Sequence, residues 1–210
     1  MAHPPQTPHF IDNNFNLIRY LGGGEYGHTW QARANAAGSA DDIDSDENID
    51  IDDVRDRGED LVVKMSKPGF ANMLRDEHTV MRLPAIDQCD NVVSSLGFKS
   101  YPQEDKAYLI MEYGGPTLFT KLQEHREAFI AQGLDPLTYT GLPREEVREI
   151  SSQLVNAHTA LHSLGVIYRD HKLDNVVVGD GLVVRLIDLG CYKAVEFDGW
   201  APSDLNACSE

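Results

Sequence analysis

Two short runs of polar residues in the second half of the 210-residue chain carry types and spacings suited to chemistry. The first is Tyr168-Arg169-Asp170-His171-Lys172-Leu173-Asp174-Asn175, and the second is Asp188-Leu189-Gly190. Between them lie two apolar runs, Val176 to Val178 and Leu182 to Ile187, parted by Gly179-Asp180-Gly181, a pattern that predicts a β-hairpin. A tight hairpin returns its ends to one edge, so Asn175 and Asp188 should meet there. One amide oxygen and one carboxylate converging at an edge suit a hard cation such as magnesium, which takes oxygen ligands and keeps phosphates. Asp170, just upstream, is then well placed beside that metal.

Other elements must hold these groups. A helix is predicted from Pro143 to Leu164, with Pro near its first turn, Glu145 and Glu146 just after it and Gly165 at its end. Its inward stripe is Val147, Ile150, Leu154, Ala157, Leu161 and Leu164. Thr117 to Ala131 reads as a second helix. In the first half, Phe15 to Leu21 and Thr29 to Arg33 read as strands around Gly22, Gly23, Gly24 and Gly27. These glycines fit G-x-G-x-x-G, and they equally fit an ordinary glycine hairpin. Leu61 to Met65 is a third strand and carries Lys64. A helix follows over Phe70 to Leu83, where Phe70, Met73, Leu74, Val80 and Met81 form the buried stripe. Glu77 falls on that stripe, and a carboxylate on an apolar face needs a cationic partner. Val92 to Phe98 and Ala107 to Tyr113 read as two more strands. Gly114, Gly115 and Pro116 then break the pattern and mark a candidate hinge between lobes.

The segment around Asp170 resembles the protein kinase catalytic loop, usually H-R-D-L-K-x-x-N, and Asp188-Leu189-Gly190 resembles the D-F-G of that family. The spacing from Asp170 to Asn175, and from there to Asp188, matches the family without a gap. The resemblance implies an α+β, bilobal protein-kinase-like fold with a β-rich N-lobe and an incomplete helical C-lobe. It also implies ATP and Mg2+ as cofactors and a protein carrying Ser or Thr as substrate. On it, Asp170 would accept or orient the substrate hydroxyl's proton, and Lys172 would neutralise the transferring phosphoryl group. Asn175 and Asp188 would hold magnesium. Gly22, Gly24 and Gly27 would cover the ATP phosphates, while Lys64, paired with Glu77, would grip the α- and β-phosphates. Met111 would be the gatekeeper, with Glu112, Tyr113 and Gly114 as the adenine-binding hinge. Lys172 is the residue typical of Ser/Thr protein kinases and usually missing from kinases of small molecules. His162 sits where the family keeps a structural His and is expected to pack in the core.

The sequence departs from the family pattern at Thr29, Val62, His171 and Leu189, and the interval from Lys64 to Glu77 is shorter than usual. No A-P-E motif follows Asp188, so the chain reads as truncated after D-L-G, with Cys191 to Glu210 opening an activation segment. Arg169 beside Asp170 implies control through that segment, although Tyr192, Ser203 and Ser209 are poor phosphorylation candidates. A partner chain that supplies the missing helices, or a binding module that regulates another protein, are the alternatives to a self-sufficient enzyme.

The expected organisation is a flexible leader over 1–11, an N-lobe over 12–113 and a partial C-lobe over 114–210. The formal charge of −16 argues against nucleic acid or an anionic membrane as partner. Much of it is concentrated in 38–60, an acidic insert that reads as a solvated loop. A calcium loop does not fit there, because Glu47 stands where such a loop needs Gly. Three widely spaced cysteines with no metal-ligand pattern, and an amino terminus without an apolar run, point to a cytoplasmic or nuclear protein.

Overall fold

The computed structural model describes residues 14–35 and 59–195. The expected leader, all but the last two residues of the acidic insert, and the residues after Val195 lie outside that set. The described chain divides into two compact units. One comprises the described residues up to His78 together with Ser94–Tyr113. The other comprises Thr79–Val93 together with the described residues from Gly114 onward.

The first unit is built on a five-stranded antiparallel sheet in the order β1-β2-β3-β5-β4. Its strands are β1 (Phe15–Gly23), β2 (Gly27–Ala34), β3 (Leu61–Ser66), β4 (Ser95–Tyr101) and β5 (Lys106–Glu112), and it holds all but the last three residues of helix α1 (Ala71–Met81). Alternate residues of a strand share a face. Leu61, Val63 and Met65 therefore join Phe15, Trp30, Ala32, Tyr108 and Ile110 in one buried cluster. Lys64 has the opposite parity and points away from it. Asp60, placed by the sequence at the end of the solvated insert, is instead fixed. Its carboxylate accepts from Gln31 Nε2 and Arg33 Nε, each at 2.6 Å.

Two expectations shift here. The strand expected over Val92 to Phe98 runs from Ser95 to Tyr101. Val92 and Val93 are buried in the second unit, where Val92 bridges Leu186 and the Val93 N–H donates to the Leu186 carbonyl at 3.0 Å. Two β-branched residues will satisfy any free strand edge, and here that edge is not the large sheet. The α1 stripe is as expected at Leu74, Val80 and Met81, while Phe70 and Met73 are half-buried.

The second unit contains α2 (Pro84–Asp87), α3 (Leu118–Ala131), α4 (Arg144–Ser163) and two small antiparallel pairs. One pairs β6 (Val166–Ile167) with β9 (Lys193–Ala194), the other β7 (Val176–Val178) with β8 (Val184–Leu186). The second pair is the hairpin expected between Asn175 and Asp188. Helix α3 starts on Thr117, whose hydroxyl accepts from the Thr120 N–H at 3.2 Å. Helix α4 buries Ile150, Ala157 and Leu161, but Val147 is 47% exposed, so the first turn of the expected stripe is not core. Polar groups fasten α4 to the hairpin. Gln153 Oε1 accepts from the Val184 N–H at 2.8 Å and from Asn91 Nδ2 at 3.0 Å, and Gln153 Nε2 donates to the Leu182 carbonyl at 3.0 Å.

Candidate functional site

The first unit contributes a glycine turn and a buried ion pair. The tip between β1 and β2 is closed by a bond from the Gly24 N–H to the Gly27 carbonyl at 3.0 Å. Gly27 is obligatory for steric reasons, because a Cβ there would run into the backbone carbonyl of Met65. Gly22 and Gly24 differ: a Cβ on either meets no protein atom within 4 Å. Packing demands neither glycine, although the φ of 153° at Gly22 is itself a backbone that favours glycine, and an open cradle of this kind suits close approach of a phosphate chain. On β3, Lys64 Nζ donates to Glu77 Oε2 at 2.7 Å. Lys64 is 9% exposed and Glu77 1%, so the carboxylate on the apolar stripe of α1 has the cationic partner its burial demands. Met111 is buried on β5, in register with Val62. Glu112 uses its Oε1 to accept from the Ser94 N–H at 2.9 Å, which ties the end of β5 to the chain entering β4.

The second unit brings three predicted groups together around one carboxylate. Asp170 Oδ2 accepts from Lys172 Nζ at 2.6 Å and from Asn175 Nδ2 at 2.7 Å. The same Asn175 amide nitrogen also donates to the Asp170 carbonyl, at 3.1 Å. The Lys172 hydrogen bond is the main reason the Asp170 carboxyl lies below its ordinary range; burial opposes it, while Asn175 and the charges of Lys172 and His171 assist. Lys172 is raised for the reciprocal reason, with added help from Asp188 and Cys191. Asp170 is thus an anion at neutral pH, one of its oxygens already committed.

The hairpin delivers Asp188 as its spacing predicts. The Ile187 N–H donates to the Asn175 carbonyl at 3.0 Å, so the residues flanking the hairpin lie side by side. Asp188 itself takes a left-handed backbone, with φ of 61°. Tyr168, 1% exposed, anchors the loop from beneath, its hydroxyl donating to the Ile187 carbonyl at 2.6 Å. Arg169 is held by Cys191 and Tyr192, donating from Nε and Nη2 to their carbonyls at 2.9 and 3.3 Å. Gly114 belongs to this unit, and a Cβ there would stand 2.6 Å from Val177 Cγ2 on β7.

One assignment fails. His162, expected in the core, is exposed. The half-buried imidazole of α4 is His158, one turn earlier, because that position faces Tyr168 and His171. Its ring lies 4.4 Å from that of His171, 5.6 Å from that of His162 and 5.9 Å from that of Tyr168. His158 Nε2 is buried without a hydrogen-bond partner, and burial, then the neighbouring His171 and His162, lower its pKa. An i, i+4 relation to His162 was visible in the sequence and was the signal available. Asn91 and Gln153, which brace the hairpin, gave no signal at all.

A family model described as protein kinase domain matches residues 54–201, well over half of the chain. The chain belongs to the protein kinase family. The match covers the Lys64–Glu77 pair, the catalytic loop and the D-L-G segment, and leaves the glycine turn outside it. The kinase called serine/threonine-protein kinase TOS3 of Saccharomyces cerevisiae is 26% identical over 192 residues, covering 90% of this chain and 31% of that protein. Mitogen-activated protein kinase pmk-3 of Caenorhabditis elegans is 24% identical over 198 residues, 90% of this chain and 35% of that kinase. Serine/threonine-protein kinase TIO of Arabidopsis thaliana reaches 46% over 54 residues, 26% of this chain and 4% of that kinase. The chain therefore spans about a third of the length of the two relatives that it matches along most of its own. Its α+β architecture, a β-sheet unit and a helical unit, is that of the kinase fold. Among the described residues, no helix of this chain is long and apolar enough to cross a membrane.

Proposed function

We propose that this chain carries the nucleotide-handling and proton-handling groups of an ATP-dependent protein kinase acting on Ser or Thr. The observation that carries the reading is the carboxylate of Asp170, gripped on one oxygen by both Lys172 and Asn175. A carboxylate with Oδ2 so occupied offers Oδ1 to an acceptor hydroxyl. As the hydroxyl oxygen bonds to the γ-phosphorus and the β–γ bridging bond breaks, its proton passes to Asp170. The lowered pKa makes Asp170 a weak base, so its first service is orientation, with proton acceptance late in the transfer.

The donor set fits magnesium. Asn175 has spent its amide nitrogen on Asp170, which leaves Oδ1 as the atom offered to a cation, and Asp188 adds a carboxylate from the adjoining strand end. Magnesium commonly uses one or two protein oxygens and takes the rest from phosphates and water. When bound, Mg-ATP supplies the transferable phosphoryl group and the charge that offsets its negative oxygens. Lys64, held extended by Glu77, would meet the α- and β-phosphates. The open faces of Gly22 and Gly24 would admit them, with Gly27 fixing the turn. Lys172 would sit beside the group in transfer. Met111, Glu112 and Gly114 are proposed to contact the adenine. The setting proposed is a reducing one, cytoplasm or nucleus, in keeping with three widely spaced cysteines that show no metal-ligand pattern.

The test is phosphate transfer from labelled Mg-ATP to a generic basic protein, with wild type and Asp170→Asn side by side. Transfer by the wild type that drops at least a hundredfold in Asp170→Asn, with ATP binding kept, is the expected outcome. Equal transfer by both removes the proposed role of Asp170. No transfer from a folded wild type that still binds ATP moves the reading to a nucleotide-binding module.

A further inference from the structure

The stretch from Lys67 to Phe70 leaves β3 and enters α1, and three contacts run from it to the tip of the glycine turn within the same unit. The Lys67 N–H donates to the Tyr26 carbonyl at 2.9 Å. Lys67 Nζ donates to the Gly24 carbonyl at 2.6 Å. The Tyr26 ring lies against Phe70, with centroids 5.4 Å apart. The Lys67 charge also reaches His28 on β2, where it adds to burial in lowering the imidazole pKa.

The Gly24 N–H is held by the Gly27 carbonyl, but a Cβ at Gly24 would meet no protein atom within 4 Å, so side-chain packing does not fix the peptide that carries its carbonyl. The ammonium of Lys67 holds that carbonyl. A carbonyl held by a cation fixes which way the neighbouring N–H groups point, and those are the groups a covering turn would turn toward phosphate oxygens. Glycine-rich turns lose the most freedom on becoming ordered. A tip ordered before the ligand arrives spares binding that loss. A carbonyl oxygen is also an indifferent partner for an exposed ammonium that could be fully hydrated, so the contact is better understood by what it positions than by what it adds to stability.

From these contacts we propose that Lys67 is a positioning residue for the nucleotide phosphates, acting through the Gly24–Gly27 tip that it holds. The proposal rests on the nucleotide-binding reading above. Thr29, Lys64 and the glycines are not altered by its test.

The experiment is calorimetric titration of the full chain with Mg-ATP and, separately, with adenosine, which lacks phosphates. Wild type, Lys67→Met, Lys67→Arg and Tyr26→Ala are compared. The expected result is an ATP affinity about three- to tenfold weaker in Lys67→Met, the size of one ordinary hydrogen bond. Adenosine affinity and the melting temperature of the free protein should not move, and Lys67→Arg should restore most of the loss. Tyr26→Ala should weaken ATP selectively as well, because it frees the same tip. Unchanged ATP affinity in Lys67→Met overturns the proposal while leaving nucleotide binding intact. An equal loss for ATP and adenosine overturns it in favour of a role in the fold. A loss in Lys67→Met without one in Tyr26→Ala overturns the part assigned to the tip, leaving a direct charge contact. A wild type that binds neither ligand overturns it together with the reading beneath it.

Discussion

Lys64 with Glu77, and Lys172 with Asp170, are both lysine–carboxylate pairs at nearly the same distance, 2.7 and 2.6 Å. Their settings are opposite. The first pair joins a strand to a helix 13 residues later and is nearly dry, with side-chain exposures of 11% and 1%. The second joins residues two apart in one loop, with exposures of 48% and 29%. Removing one member of a buried pair strands the other charge in a poor solvent, whereas water replaces a lost partner at an exposed one. The buried pair is therefore part of what holds α1 on the sheet. The exposed pair tunes a proton without supporting the fold.

The largest effect expected from this contrast is on stability. Glu77→Ala should lower the unfolding free energy by about 3–5 kcal/mol, the usual result of breaking a buried ion pair. Lys172→Met should leave it within about 1 kcal/mol. Urea denaturation of both variants measures the difference, and similar losses in the two would erase the distinction.

The next test sharpens the exposed side. Lys172 is the first cause of the depressed Asp170 pKa. Its loss should raise that pKa, so the acid limb of the phosphate-transfer rate should move to higher pH in Lys172→Met. Rates across pH 4 to 8 check this, and an unmoved limb would mean that Asp170 does not govern the limb.

The smallest effect concerns His158, which lies between the extremes, half-buried with an unpartnered nitrogen. Its folded pKa is depressed below the ordinary 6.5, so the folded state binds fewer protons than the unfolded one as pH falls past that value. Stability should then decline from about pH 6.5 down to the folded pKa and decline no further from this source. His158→Phe, keeping a flat ring against Tyr168, should show a shallower decline over that window. Thermal unfolding of both proteins between pH 7 and pH 5 measures it.

How much of this could be read from sequence follows the same divide. The catalytic loop was legible because its chemistry is local: Asp170, Lys172 and Asn175 meet within six positions, and one short hairpin places Asp188. The Lys64–Glu77 pair crosses elements, yet it was legible through cost, since a carboxylate on an apolar stripe must be answered. Neutral polar braces carry no such demand. Asn91 and Gln153 hold the hairpin to α4 and look like any surface amide in the chain. Val92 and Val93 carried a true strand signal, but β-propensity does not say which edge will be used. His158 and His162 are one turn apart, and only the position of Tyr168 decides which ring is covered.

The membership of residues 79–93 in the second unit bears on the order in which a ribosome could deliver this molecule. Every strand of the five-stranded sheet has been synthesised by residue 112, so that sheet can close early. The stretch through Asn91 and Val93 cannot finish then. Its acceptors and donors, the Val184 carbonyl and the Leu186 peptide, are made some ninety residues later. At roughly 5–20 residues per second, that leaves several seconds in which a buried valine pair waits for its strand. The same interleaving means that a cut at the Tyr113–Gly114 bond would not yield two complete halves. The carboxy-terminal fragment would lack Asn91, and refolding would have to recover it from the other piece.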